Sequence, residues 1–264
     1  MAQPIRITSK IQLRDFDPDY HEGLDKEKTR QKTDKLCLRI SQLQQRLFAN
    51  STNAVLLVLQ GMDTSGKDGA TRAVLQHLNP AGVQVTYFKV PTAEERAHDF
   101  LWRIHKAEPR RGMIGVFNRS HYEDVLVVRV LELEPREVWT ARYDQINAFE
   151  KSLTENNIIL LKFFLHIGKE EQKKRLEARI RDPSKNWKLD LNDLKMRAHW
   201  DEFQEAYEDA INRCGPVWAP WNVVPANHKW FRNYVIARSV VRALEKLKLQ
   251  WPKPKLALSR VKIK

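Results

Sequence analysis

The segment Gly61-Met-Asp63-Thr-Ser65-Gly66-Lys67-Asp68-Gly69 constrains the fold more than any other, because it joins a seven-residue run rich in Val and Leu, Ala54–Gln60, to a stretch with helical periodicity. A G-x-x-x-x-G-K pattern between a strand and a helix is the context in which a glycine-rich turn closes around a phosphate. Gly61 and Gly66 let the backbone curl so that several N–H groups converge, with Ser65, Asp68 and Gly69 completing the predicted cradle. The helix N-terminus adds partial positive charge, and Lys67 reaches the group being transferred. Asp68 stands where Ser or Thr would place a hydroxyl on magnesium. Asp63 and Asp68 would repel phosphate unless a cation lay between them, and a hard dication takes carboxylate and phosphate oxygens together. For Asp68 a second reading stays open, that its charge favours the helix N-terminus.

Around this loop, short segments rich in Val, Ile and Phe at 54–60, 83–90, 113–117, 158–167 and 222–225 read as strands. They alternate with helical segments at 67–78, 93–106, 136–156, 170–181, 191–213 and 230–248, after a first helix at 24–48 in which Leu36, Ile40, Leu43 and Leu47 form one stripe. This alternation predicts an α/β fold, a parallel sheet covered on both faces as a three-layer α/β/α sandwich. Residues 1–23, without periodicity, are expected as an arm on the surface, 24–251 as one domain and 252–264 as a basic tail. The 46 Lys and Arg against 33 Asp and Glu, a net +13, favour polyanionic partners. Two cysteines are too few for a disulfide framework. No apolar core of a signal peptide stands near Met1, and Lys162 and His166 break the greasiest segment, so the expectation is a cytoplasmic protein that does not span a membrane.

Two further constellations follow the loop. Phe117-Asn118-Arg119-Ser120-His121-Tyr122-Glu123-Asp124 lies at the exit of the third predicted strand, where open α/β sheets bind ligands. Asn118, Glu123 and Asp124 are candidates for holding a metal, and Arg119 for gripping a phosphate as a fork. A helix start capped by Asn118 or Ser120, with the acids in its first turn, explains part of the segment but not its Arg, His and Tyr. The stretch 169–188 carries eight basic residues against four acidic ones, with Arg175 and Arg179 on one helix face and Leu176 and Ile180 on another. It reads as a basic lid that closes over phosphates, or as a solvated helix; a phosphate loop upstream favours the lid. The tryptophans, Trp200, Trp218, Trp221 and Trp230 among them, are expected in the core.

Together these constellations resemble the second family of polyphosphate kinases. The loop Gly61-x-Asp63-x-x-Gly66-Lys67-Asp68-Gly69 is similar to that family's modified phosphate loop, 117–125 to its second motif in class III form, and 170–187 to its lid. Similar runs at 100–105, 161–166, 219–221 and 224–227 extend the likeness over nearly the whole chain from about Phe16 onward. The resemblance implies a P-loop kinase-like fold similar to nucleoside monophosphate kinases, with a helical lid. It implies phosphoryl transfer from inorganic polyphosphate to AMP and ADP, giving ADP and ATP reversibly, with Mg²⁺ or Mn²⁺, commonly in oligomers (dimer or tetramer).

Carried over by motif, Asp63, Lys67, Arg119, Glu123, Arg175 and Arg179 are the implied catalytic residues, and Asp63 and Asp124 the implied metal ligands. Glu123 is the implied selectivity residue: an acid there goes with use of AMP as well as ADP, where class I members carry Asn, and Asn118 departs from the Asp usual in class I. An ATP-dependent kinase of a nucleoside monophosphate or small metabolite is the rival enzyme, since loop and lid would look alike. A basic nucleic-acid-binding module is disfavoured by the four acids, Asp63, Asp68, Glu123 and Asp124, around the proposed site; neither nucleic acid nor membrane is expected as a partner.

Overall fold

The computed structural model describes residues 5–254 and 256. Six strands form one sheet: β1 (Ile5–Arg6), β2 (Ala54–Gln60), β3 (Val83–Tyr87), β4 (Ile114–Asn118), β5 (Ile158–His166) and β6 (Trp221–Pro225), in the order β1-β6-β5-β2-β4-β3. The five longer strands are parallel and β1 pairs antiparallel with β6. All seven residues of β2 are buried, as a central strand covered on both faces requires. β4 and β5 flank β2, so the chain reverses direction across the sheet there, and ligands collect outside the carboxyl ends of strands at such a point.

One face is covered by α1 (Lys26–Asn50), α2 (Lys67–Leu75) and α10 (Lys229–Lys246). Asp25 caps α1 by accepting a hydrogen bond from the Lys28 N–H at 2.8 Å, and Cys37, Ile40, Leu43 and Leu47 of α1 join Val235, Ile236 and Val240 of α10 in one apolar layer. The other face is covered by α5 (Glu123–Val130), α6 (Arg136–Glu155) and α9 (Trp200–Arg213), whose Ile146, Phe149, Phe203 and Ala206 pack against Leu56, Val58 and Phe164 of the sheet. The three-layer sandwich expected from the alternation is the fold. Among the described residues no helix is long and apolar enough to cross a membrane, and both cysteines are buried and free.

Several elements differ from expectation. The predicted helix over 93–106 is two short ones, α3 (Ala93–Arg96) and α4 (Trp102–His105), separated where the Asp99 carboxylate accepts from the Leu101 N–H at 2.9 Å and supports a turn. The predicted helix over 191–213 divides at His199 into α8 (Leu191–Ala198) and α9. The described part of the expected arm, residues 5–23, does reach the core, because β1 extends the sheet and Ile7 and Leu13 are buried against it. Trp218 is exposed, whereas Trp200 and Trp221 are core residues. Most of the predicted basic tail, residues 255 and 257–264, lies outside the described residues.

Candidate active site

The turn after β2 is built on left-handed backbone at Gly61 (φ 147°), Thr64 (64°) and Gly66 (99°). A Cβ on Gly61 would stand 2.7 Å from the Leu165 carbonyl oxygen, so only glycine passes the end of β5 this closely. Lys67 opens α2 with its side chain folded into the turn, where Nζ donates to the Gly61 carbonyl at 2.6 Å and the Met62 carbonyl at 3.3 Å. Burial pulls the ammonium below its ordinary pKa, against the opposing charge of Asp63. The Ser65 hydroxyl is buried without a hydrogen-bond partner, and its N–H donates to the Met62 carbonyl at 3.1 Å.

The second motif meets the first through two side-chain bonds. At the end of β4 the Asn118 amide donates to Asp68 Oδ1 at 2.7 Å, and Arg119, itself at φ 62°, donates through Nη2 to Asp63 Oδ1 at 2.6 Å. Of the two expected caps Asn118 does not serve, but Ser120 Oγ accepts from the Tyr122 N–H at 3.2 Å at the entry to α5, where Tyr122 itself adds no side-chain cap. Ser120 Oγ also accepts from the Gln60 amide at 3.0 Å, tying the two strand exits together. Burial alone would raise the Asp63 carboxyl, but Lys67 and Arg119 outweigh it and hold its pKa low. The charge of Glu123, first residue of α5, does most to raise that of Arg119.

Beyond the loop lies a cleft of about 600 Å³ into which Gly61, Asp63, Arg119, Glu123 and Asp124 all face. Its far wall carries Phe88 and Phe100, with the Arg103 guanidinium 5.5 Å from the first ring and Arg142 5.0 Å from the second. Asp124 sits between these arginines, 3.6 Å from Arg103 and 3.8 Å from Arg142, and burial nevertheless pushes its carboxyl up to about 6. Its Oδ2 is buried and accepts no hydrogen bond. Asp63 and Asp124 supply hard oxygen donors, and Mg²⁺ typically takes only one or two carboxylates besides phosphate oxygens and water. Among the described residues no three of His, Cys, Asp or Glu gather as a metal cage.

Helix α7 (Lys169–Arg181), in the segment expected as a lid, gives the two expected arginines different partners. Arg175 donates to the carbonyls of Thr64 at 3.0 Å, Ser65 at 3.2 Å, and Ala226 and Asn227 at 2.7 Å each, while Glu171 accepts from its Nε at 2.7 Å. Its five donors are thus all engaged, two on the loop, two on the carbonyls after β6 and one on Glu171 of its own helix. Arg179 pairs with Asp193 of α8 at 2.6 Å and donates to the Lys188 carbonyl, which ties α7 to the following segment, and its charge also acts on Asp63. Leu176 anchors α7, but Ile180, expected to share that role, is 57% exposed.

The family model for polyphosphate kinase 2 matches residues 23–252. The chain belongs to the polyphosphate kinase 2 family. It is 45% identical over 261 residues to the AMP/ADP-polyphosphate phosphotransferase of Meiothermus ruber, covering 98% of each chain, and 44% identical over 226 residues to the ADP-polyphosphate phosphotransferase of Rhodopseudomonas palustris, covering 81% of this chain and 78% of the other. The crystal structure of polyphosphate kinase 2 from Arthrobacter aurescens TC1 superposes with a TM-score of 0.95 at 42% identity, covering 98% of this chain and 94% of that one.

Within this polyphosphate kinase 2 fold, Arg142, Tyr207 and Arg232 escape the sequence reading, and Arg103 enters it only within the run at 100–105. Arg103 and Arg142 belong to segments with no local phosphate pattern. Tyr207 of α9 lines the cleft from the third layer. Arg232 of α10 lies buried behind the phosphate loop. Only Arg232 leaves a signal, because it occupies the apolar stripe otherwise formed by Phe231, Val235, Ile236 and Val240.

Proposed function

We propose that the chain is a class III enzyme, a polyphosphate:AMP/ADP phosphotransferase, which moves phosphoryl groups reversibly from inorganic polyphosphate to AMP and then to ADP. The observation that carries this reading is that the phosphate loop opens directly into the cleft bearing Glu123, so that one set of residues, Gly61, Asp63 and Arg119, faces donor and acceptor together. The relative from Meiothermus ruber, whose name carries both acceptors, supports it.

In this reading the donor chain lies along the loop N–H groups and Lys67, and the acceptor nucleotide occupies the cleft, where arginines and aromatic rings suit its phosphate and base. The acceptor phosphate is largely ionised near neutral pH and needs no strong base, so alignment and charge neutralisation carry the transfer. Lys67 and Arg119 supply fixed positive charge where the bridging oxygen accumulates negative charge. Arg175 keeps the loop in shape, and Arg179 approaches from the lid. Mg²⁺ or Mn²⁺, held by Asp63 and Asp124 with phosphate oxygens, would neutralise further phosphate charge. The same reading expects a homo-oligomer, dimer or tetramer, in the cytoplasm, with neither nucleic acid nor membrane as partner.

The test is Glu123→Asn, assayed with AMP and with ADP as acceptors and polyphosphate as donor. The variant is expected to lose AMP use more than ADP use. An equal loss for both acceptors would remove the role assigned to Glu123.

A further inference from the structure

Arg232 lies in the first turn of α10, 2% exposed, on a stripe whose other members are apolar. Its guanidinium is pressed against the back of the phosphate loop: a Cβ on Gly66 would fall 1.8 Å from its Nη1, and one on Gly69 3.1 Å from its Nη2. Nη1 donates to the Ser65 carbonyl at 3.2 Å, while Nε and Nη2 share Asn233 Oδ1 at 3.1 and 2.8 Å. Among the described residues no carboxylate pairs with it. The charge acting on it is a like one, Arg175, which donates to the same Ser65 carbonyl. Burial first, and Arg175 second, bring Arg232 down to about 9.

A buried charge without a counter-charge destabilises a fold. Its retention here is explained if the counter-charge arrives with the substrate. The position suits that account, because Gly66 and Gly69 flank the N-terminus of α2, whose partial positive charge already favours phosphate. A guanidinium behind them adds a full charge to the same face and fixes the Ser65 peptide.

We propose that Arg232 is a positioning residue of the donor site, which shapes the phosphate loop from behind through Gly66 and Ser65 and whose charge is compensated when a polyphosphate chain occupies the loop. This rests on the reading that polyphosphate is the donor. The experiment compares full-length wild type with Arg232→Met and Arg232→Lys by calorimetric titration of linear tripolyphosphate and long-chain polyphosphate, by melting without ligand, and by KM for polyphosphate and for AMP.

Arg232→Met is expected to melt at or above the wild-type temperature, to bind tripolyphosphate at least about tenfold more weakly and to keep its KM for AMP, with Arg232→Lys regaining part of the affinity. Wild-type affinity in Arg232→Met overturns the proposal. So does a Met variant that melts well below wild type, loses polyphosphate and AMP equally and is not improved upon by Lys, which is the pattern of a packing role. A wild type that binds neither phosphate polymer overturns the donor reading itself, and the proposal with it.

Discussion

Beneath the active-site turn, Lys162 of β5 and Glu150 of α6 form a wholly buried pair at 2.5 Å. Lys162 Nζ also donates to the Cys214 carbonyl at 2.6 Å and contacts Tyr122 Oη at 3.0 Å, while Glu150 Oε1 accepts from Tyr122 Oη at 2.7 Å and meets His121 Nε2 at 3.2 Å. Burial would raise the Glu150 carboxyl, but Lys162 and His121 hold it low. Lys162→Met leaves Glu150 as an uncompensated buried charge, which costs about 3–5 kcal/mol. For a chain of this size that is a loss of roughly 6–20 °C in melting temperature, at about 2–4 °C per kcal/mol. Glu150→Leu should cost a similar amount by stranding Lys162. The double variant removes both charges and leaves only Tyr122 Oη, His121 and the Cys214 carbonyl short of partners, at roughly 1–3 kcal/mol each. It should therefore be more stable than the sum of the single losses predicts, by up to about 3 kcal/mol. Denaturant melts of the four proteins followed by circular dichroism provide the cycle. Additivity to within about 0.5 kcal/mol would refute the coupling.

Lys67→Ala is expected to lower kcat by at least about 10²-fold while the far-ultraviolet spectrum and cooperative melting persist, because Nζ bonds only carbonyls of its own turn; a variant with most of its turnover would remove the assignment. Burial and the charge of Asp63 push Asp193 up to about 6, above its ordinary 3.8, so its contribution to wild-type stability is full below pH 3.8 and falls as pH rises through 6. Asp193→Asn lacks that fall, and melting temperatures at pH 4 and pH 7.5 should show the variant gaining on wild type as pH rises; a constant difference would contradict the shift.

Much of the scaffold is legible in the chain because local and global signals agree. The continuous apolar run Ala54–Gln60 can be satisfied only by burial on both faces, and Gly61 and Gly66 then mark where the backbone must turn over a ligand. The helix α5 is legible only at its start, since Val125, Leu126, Val127 and Val128 form an unbroken apolar run without helical period. Arg175 is identifiable as a residue but not by its target, because the Ala226 and Asn227 carbonyls reach it only when β6 closes against the loop. The same holds for Asp124, whose arginine neighbours Arg103 and Arg142 come from separate segments. Burial of Ile7 and Leu13 is invisible locally, because β1 is two residues long and exists through its pairing with β6.

Polyphosphate dependence is read from a chromatographic time course begun from AMP, polyphosphate and Mg²⁺, run beside AMP with ATP as donor and a reaction without donor. ADP is expected to rise first and ATP to follow, only where polyphosphate is present. Formation of ADP from AMP with ATP alone, or failure of AMP to react with polyphosphate while ADP does, would contradict it.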